Sequence, residues 1–214
     1  MATGWKRQME QLAMEEEASA PAAKVRKTEP EATNPYRGLF GHKTIRTEEG
    51  GGQTVVAWYG GGRSGAVFST FYPAPFVDEE GIRFSCVEAY FQYQKAKAFG
   101  ADRLAERILT AYSPSYQQRL GRQVPGFDAH KWALVQELVM REGLKLKFEQ
   151  NPELRDKLLG TGDALLCQAT AGEDFWACGL DLNDPKLAEK HHWPGQSKLG
   201  DLLMAIREEI TSDG

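Results

Sequence analysis

The sequence predicts a mainly helical α+β fold, with a small β element near its N-terminal part. Three observations carry this. Apolar residues recur at helical spacing over most of the chain beyond residue 85, one short β-branched and aromatic run sits between glycine clusters, and two short apolar segments flank Glu79-Glu80-Gly81. Among 214 residues, 41% are hydrophobic and 26% charged, which is the balance of a chain able to bury a core.

Residues 1–38 stand apart from the rest. The stretch EEEASAPAAKVRKTEPEATNPYR, Glu15 to Arg37, has almost no large apolar side chain, so it cannot offset the entropy of ordering itself. A disordered tail is expected over 1–38, with a short helix over Trp5 to Glu17 as the one candidate element and Lys24-Val25-Arg26-Lys27 as a weak nuclear address. A single domain follows over 39–214. Thr54 to Tyr59, TVVAWY, reads as a strand between Gly50–Gly52 and Gly60–Gly62, and Phe76 to Phe84 as a hairpin. Gly60 to Gly65 lacks the lysine of a phosphate loop and reads as a turn. Helices follow over Ser85 to Phe99, Ala101 to Tyr112, Pro114 to Gly121, Asp128 to Phe148, Asn151 to Leu159 and Leu199 to about Ile210. Asn151 before Pro152 is a helix-start signal, the proline lacking an N–H that the first turn would leave unbonded anyway.

Charge and cysteine usage narrow the function. The chain holds 26 basic and 30 acidic residues, a net −4. All of that excess lies beyond residue 38, and such a surface repels a duplex phosphate backbone while leaving room for a local basic pocket. No apolar run approaches the roughly 20 residues of a membrane helix, so no membrane association is expected and a cytoplasmic or nuclear location is. Cys86, Cys167 and Cys178 have no paired spacing and read as free thiols. The four histidines, His42, His130, His191 and His192, show no ligand spacing, so no metal is expected.

Several segments hold chemistry-bearing residues. On a helix through SCVEAYFQYQKA, Glu88, Gln92 and Lys95 fall at i, i+4 and i+7 on one stripe, while Val87, Tyr90, Phe91 and Ala98 face elsewhere and pack. That stripe has two readings: a solvated face whose Glu88 closes a capping box with Ser85, or a carboxylate, an amide and an amine lining a cleft. Glu173-Asp174-Phe175-Trp176-Ala177-Cys178-Gly179 is an acidic and aromatic loop, in which Asp174 is either a turn cap or a catalytic group and Trp176 either core or platform. Trp132 opens the Asp128 helix on an apolar face continued by Val135, Leu138, Val139 and Leu146, and Arg119 with Arg122 offers two guanidiniums beside Gly121.

The order of these segments resembles a known family. The succession of Phe68-Ser69-Thr70-Phe71-Tyr72-Pro73, VEAYFQYQKA, Ser113-Pro114, Leu120-Gly121-Arg122, FDAHKW, LKLKF at Leu144 to Phe148, LLGTGDALL, DFWACG and WPGQSKLGDLLMAIR is similar to the NADAR, or YbiA-like, family over about Leu39 to Ile210. The resemblance implies a single NADAR domain and an N-glycosidase that hydrolyses a ribose C1′–N bond without a cofactor. Its substrate would be ADP-ribose carried on the amino group of guanine, in a nucleotide or nucleic acid. Two alternatives are a phosphoribosylamino-pyrimidine intermediate of riboflavin synthesis and a non-catalytic ADP-ribose-binding module. No obligate protein partner is implied.

Carried over residue by residue, the resemblance makes Glu88, Lys95 and Asp174 catalytic, with Glu173 the substitute for Asp174. It places an aromatic of the site on Trp132. From the residues themselves, Trp132 and Trp176 are expected to stack on a base, Ser69 and Gln92 to bind substrate, and Arg122, with Arg119 or Lys147, to take phosphate. Ser69-Thr70, Ala177 and Ser197 depart from the family's commoner asparagine or glycine at matching positions.

Overall fold

The computed structural model describes residues 4–16, 41–46, 53–59 and 67–212. The Lys24–Lys27 address, the glycine turn at Gly60 to Gly65 and most of the expected tail lie outside them. Among the described residues the chain forms eight α-helices, five short strands and two turns of 3₁₀ helix.

The helices are α1 (Gly4–Glu16), α2 (Val87–Ala98), α3 (Asp102–Thr110), α4 (Pro114–Gly121), α5 (Ala129–Ala133), α6 (Gln136–Gln150), α7 (Pro152–Leu159) and α8 (Lys198–Ser212). Strands β1 (Gly41–Arg46) and β2 (Thr54–Tyr59) pair antiparallel, and β5 (Leu165–Gln168) adds to the other edge of β2 in parallel, with Val56 opposite Leu166. The expected hairpin is β3 (Phe76–Val77) with β4 (Arg83–Phe84); Asp78 Oδ1 closes its turn by accepting from the N–H groups of Glu80 and Ile82 at 3.0 and 2.9 Å.

Strand β2 is buried on both faces, so its alternation sorts residues between two cores. Val56 and Trp58 join the main core with Phe76, Phe84, Tyr90, Leu144, Phe148 and Leu203; Val55 and Ala57 join a smaller one with Cys167, Cys178, Leu187 and Trp193. The crossover from β2 to its parallel partner β5 contains α2 to α7, which places the helical layer on the main-core side. Helix α8 closes that core by lying on β5: a Cβ at Gly200 would sit 1.9 Å from the Leu166 carbonyl oxygen, so only glycine permits the approach.

Three outcomes concern single elements. First, the candidate helix over Trp5 to Glu17 is present as Gly4–Glu16, with Trp5 3% exposed within the main core and Lys6 paired with Glu80 of the hairpin turn. One indole supplies the burial that the surrounding composition lacks. Second, the single helix expected from Asp128 to Phe148 is broken. Asp128 caps α5 by accepting from His130 and Lys131, but the Leu134 and Val135 N–H groups bond to carbonyls three residues back, the tightening that ends a helix. Val135 and Val139 are then buried, whereas Leu138, expected on the same face, is exposed. Third, Asn151 does start α7, but its Nδ2 donates to the carbonyls of Pro75 and Lys147 rather than its side chain capping the helix.

Ser197, just before α8, is the described non-glycine residue in the left-handed region, at φ 56, and its Oγ is buried without a hydrogen-bond partner. Both features oppose folding, and glycine removes both at a small cost in unfolded-chain entropy. Ser197→Gly is expected to raise stability by about 1 kcal/mol. Urea unfolding at constant slope checks it; a lower midpoint refutes the reading of this position as strained.

Candidate active site

The polar stripe of α2 is not a solvated face. Glu88 is 4% exposed and Gln92 is 5% exposed. The capping box does not form: Cys86 occupies the N-cap position with no side-chain cap bond, and the Glu88 carboxylate turns inward. Its Oε2 accepts from Thr70 Oγ1 at 3.1 Å and its Oε1 from Gln92 Nε2 at 2.9 Å. The Thr70 carbonyl accepts the Glu88 N–H at 3.0 Å, so the 69–72 turn caps α2 in place of Ser85. Ser85 Oγ instead accepts from Gln117 Nε2 of α4.

Two residues assigned to substrate turn out to build this turn. Lys147 is fully buried, and its Nζ donates to the carbonyls of Val67 at 2.6 Å and Ser69 at 2.9 Å. Its amine is committed to the backbone of that turn. Ser69 is equally buried at 4% exposure, and its Oγ accepts from the Phe71 N–H, which closes the turn locally.

Lys95, one further turn along α2, is half-buried, and its Nζ lies 5.3 Å from the centre of the Phe127 ring. Arg122 at the end of α4 is exposed and donates to Gln118 Oε1, whereas Arg119 stacks over Tyr116. Burial pushes the Glu88 carboxyl up, against the opposing pull of Gln92, Thr70, Lys95 and Arg122. Burial likewise lowers the Lys95 ammonium to about 8; Glu88 opposes the shift and Arg122 adds to it. Acid, amine and guanidinium thus share one field. Gly121 belongs to the same arrangement, because a Cβ there would fall 1.8 Å from Gln92 Oε1. That oxygen is buried with no donor among the described residues, an unmet acceptor beside Glu88.

Phe91, expected to face away, sits on the cleft side. At about 100° per residue it lies about 60° from Glu88 and 40° from Lys95 around the helix. Its ring meets Trp132 of α5 at 5.2 Å and Trp176 at 5.8 Å, both edge-on, and so joins both indoles to α2. Trp132 is 5% exposed and is a packed wall rather than a stacking platform; Trp176 is half-buried and keeps a free portion.

The loop before Trp176 separates the two acids offered for one role. Glu173 accepts from the N–H groups of Phe175, Trp176 and Ala177 at 3.0, 3.2 and 2.8 Å and is committed to the loop's shape. Asp174 is exposed, while its carbonyl accepts from Gln196. Neither acid is among the charges acting on Lys95. The structure therefore brings Glu88, Gln92, Lys95 and Arg122 together, attaches both tryptophans through Phe91, and leaves Asp174 on an exposed loop. Phe127, within FDAHKW, and Thr70 carry no local signal of a role beside Lys95 and Glu88, and Phe91 reads from its helical position as a packing residue.

His191 and His192 were expected not to converge, yet with Glu189 their ligand atoms lie within 4.8 Å of one another, exposed and sharing no residue with the cleft. The three cysteines are buried free thiols, and among the described residues no helix is long and apolar enough to cross a membrane.

A sequence model of the NADAR domain matches residues 58–211, which includes every cleft residue above. The chain belongs to the NADAR domain family. N-glycosidase YbiA of Escherichia coli (strain K12) is 33% identical over 157 residues, 73% of this chain and 89% of that protein. N-glycosidase R617 of Acanthamoeba polyphaga mimivirus is 32% identical over 147 residues, 67% of this chain and 86% of that one. The NMR structure of E. coli YbiA superposes with a TM-score of 0.61 at 32% identity, covering 74% of this chain and 86% of YbiA. The riboflavin biosynthesis protein VVA0006 of Vibrio vulnificus is 32% identical over 142 residues, 66% of this chain but only 35% of that protein. The helical layer with its few short strands is similar in fold to YbiA.

Proposed function

We propose that the protein is an N-glycosidase that hydrolyses a ribose C1′–N bond, and that its substrate is ADP-ribose attached to the amino group of guanine. One observation carries the chemistry. A buried carboxyl and a half-buried amine, each shifted toward its neutral form, stand on one face of α2. Relatives named N-glycosidases support the reaction class.

Cleaving C1′–N develops positive charge on the sugar and negative charge on the departing nitrogen. A carboxyl whose protonated form is favoured by burial can supply a proton to the leaving group and, once ionised, steady the cation. Lys95 opens a covalent route. A sugar on an exocyclic amine opens to an imine, a neutral lysine displaces the base by transimination, and water then cleaves the Schiff base. With the amine at about 8, about one molecule in ten carries it neutral at pH 7. Gln92 Oε1, lacking a donor, suits an N–H or ribose hydroxyl of the ligand, and Trp176 suits a base. Asp174 fits a second carboxylate brought up when substrate fills the space beside Trp176.

Borohydride added during turnover of ADP-ribosylated guanosine is expected to leave an adduct on Lys95, found by mass spectrometry, and the turnover rate is expected to rise with pH through about 8. Clean turnover without adduct, together with an active Lys95→Ala variant, excludes the covalent route. Lack of turnover in wild type excludes the substrate. Tight ADP-ribose binding without turnover, unchanged in Glu88→Gln and Asp174→Asn, marks a binding module instead.

The Vibrio relative favours a second reading, hydrolysis of a phosphoribosylamino-pyrimidine. The matched part is about a third of that protein, so its name also reflects the remainder. Product analysis with each substrate separates the two.

A further inference from the structure

An open groove of about 590 Å³ begins where the α2 stripe ends, lined by Gly100 and Ala101, by Asp102, Arg103, Leu104 and Arg107 of α3, and by Gln123 and Pro125. Two of its lining residues adjoin the cleft along the chain. Gly100 directly follows the α2 cap Phe99, whose ring meets Phe127 at 5.2 Å, and Phe127 in turn carries Lys95. Gln123 directly follows Arg122.

Its charge is unbalanced. Asp102 is paired with Lys97, whereas Arg103 and Arg107, exposed one helical turn apart, form no ion pair among the described residues. Two guanidiniums at that spacing form a fork for phosphate oxygens.

Reach selects the ligand. From Glu88 to Phe99 is eleven residues, about 16 Å along α2. A 5′-phosphate on the sugar being cleaved stays near Lys95 and Arg122, and only a group further out enters the groove. We propose that the groove is a second anion subsite, in which Arg103 and Arg107 bind the distal phosphate of a nucleoside-diphosphate substrate and so distinguish an ADP-ribosyl from a phosphoribosyl compound. The choice of substrate rests on the glycosidase reading; the anion subsite does not.

The test uses the full chain and ADP as probe, by isothermal titration. Arg103→Gln/Arg107→Gln is expected to weaken ADP binding at least tenfold, while Arg155→Gln/Lys157→Gln, an equal charge change on the exposed side of α7, leaves it unchanged. In turnover, the groove variant raises KM for ADP-ribosylated guanosine about as much, with kcat held, and leaves KM for a phosphoribosylamino-pyrimidine unchanged. No ADP binding to wild type, equal binding by wild type and groove variant, or equal weakening by the control variant overturns the subsite. If neither substrate turns over but ADP binding still depends on the two arginines, the glycosidase reading falls and the subsite stands.

Discussion

Glu88→Gln is expected to lower kcat on ADP-ribosylated guanosine by about a thousandfold, within the range for loss of a general acid, while its stability relative to wild type increases as pH rises. Glutamine keeps the shape and can still meet Thr70 and Gln92, but it neither donates an acidic proton nor carries charge. The stability half follows from linkage. Burial raises the folded-state Glu88 carboxyl above its ordinary value, so the native state holds that proton more tightly than the unfolded chain. Its favourable contribution is complete below the ordinary carboxyl range and is lost as pH climbs through the raised value, where a buried carboxylate must ionise. Glutamine never makes that transition. The variant also separates two explanations of lost activity, because Glu88 holds the Lys95 ammonium up and its removal leaves the amine more often neutral. A rate loss therefore cannot come from a better protonated lysine. Single-turnover kinetics and urea melts at pH 5, 7 and 9 measure both halves. An active variant, or one less stable than wild type at pH 9, defeats the assignment of Glu88 as a buried acid.

What the sequence makes legible here is what local chemistry decides. Ser113 before Pro114 caps α4 and Asp128 caps α5 as their residue types predict, because the partner N–H groups lie two or three residues away. The stripe of Glu88, Gln92 and Lys95 follows from helical period alone. Which face it presents does not. The local sequence favours a solvated face with a capping box to Ser85, and the inward turn of Glu88 comes from Thr70, a tertiary neighbour. Strand β5 was invisible for a related reason: four residues, LLCQ, make too short an apolar run to tell strand from helix until β2 lies beside them. The expectation that Lys147 takes phosphate did not anticipate its bonds to the turn. A lysine between apolar residues on a helix reads as amphipathic surface, and nothing within reach of its own segment reveals that the carbonyls of Val67 and Ser69, about eighty positions earlier, wait for its amine.

Lys147→Met is expected to show that role as a pH-dependent loss of stability. Burial lowers the Lys147 amine to about 7, against an ordinary value of 10.5, so between those two values the unfolded chain binds more protons than the native state. Wild-type stability therefore gains up to about 1.4 kcal/mol per pH unit from this group as pH rises from 7. The contribution is complete above the unfolded value and is lost as pH falls through about 7, where the fully buried site must hold an ammonium. Methionine fills a similar volume and does not titrate, but it leaves two carbonyls without a donor, each costing about 1 to 3 kcal/mol. At pH 6.5 relief from the buried charge offsets much of that cost; at pH 9 it does not. The gap between wild type and variant in urea unfolding should widen by about 2 to 3 kcal/mol over that interval. Because the same carbonyls fix the turn that sets Thr70 against Glu88, kcat should fall in the variant even at pH 6.5, where the fold is least affected. A pH-independent gap would mean that the amine stays charged in the native state and that its bonds to Val67 and Ser69 suffice to hold an ammonium there. Unchanged kcat would detach the turn from the chemistry.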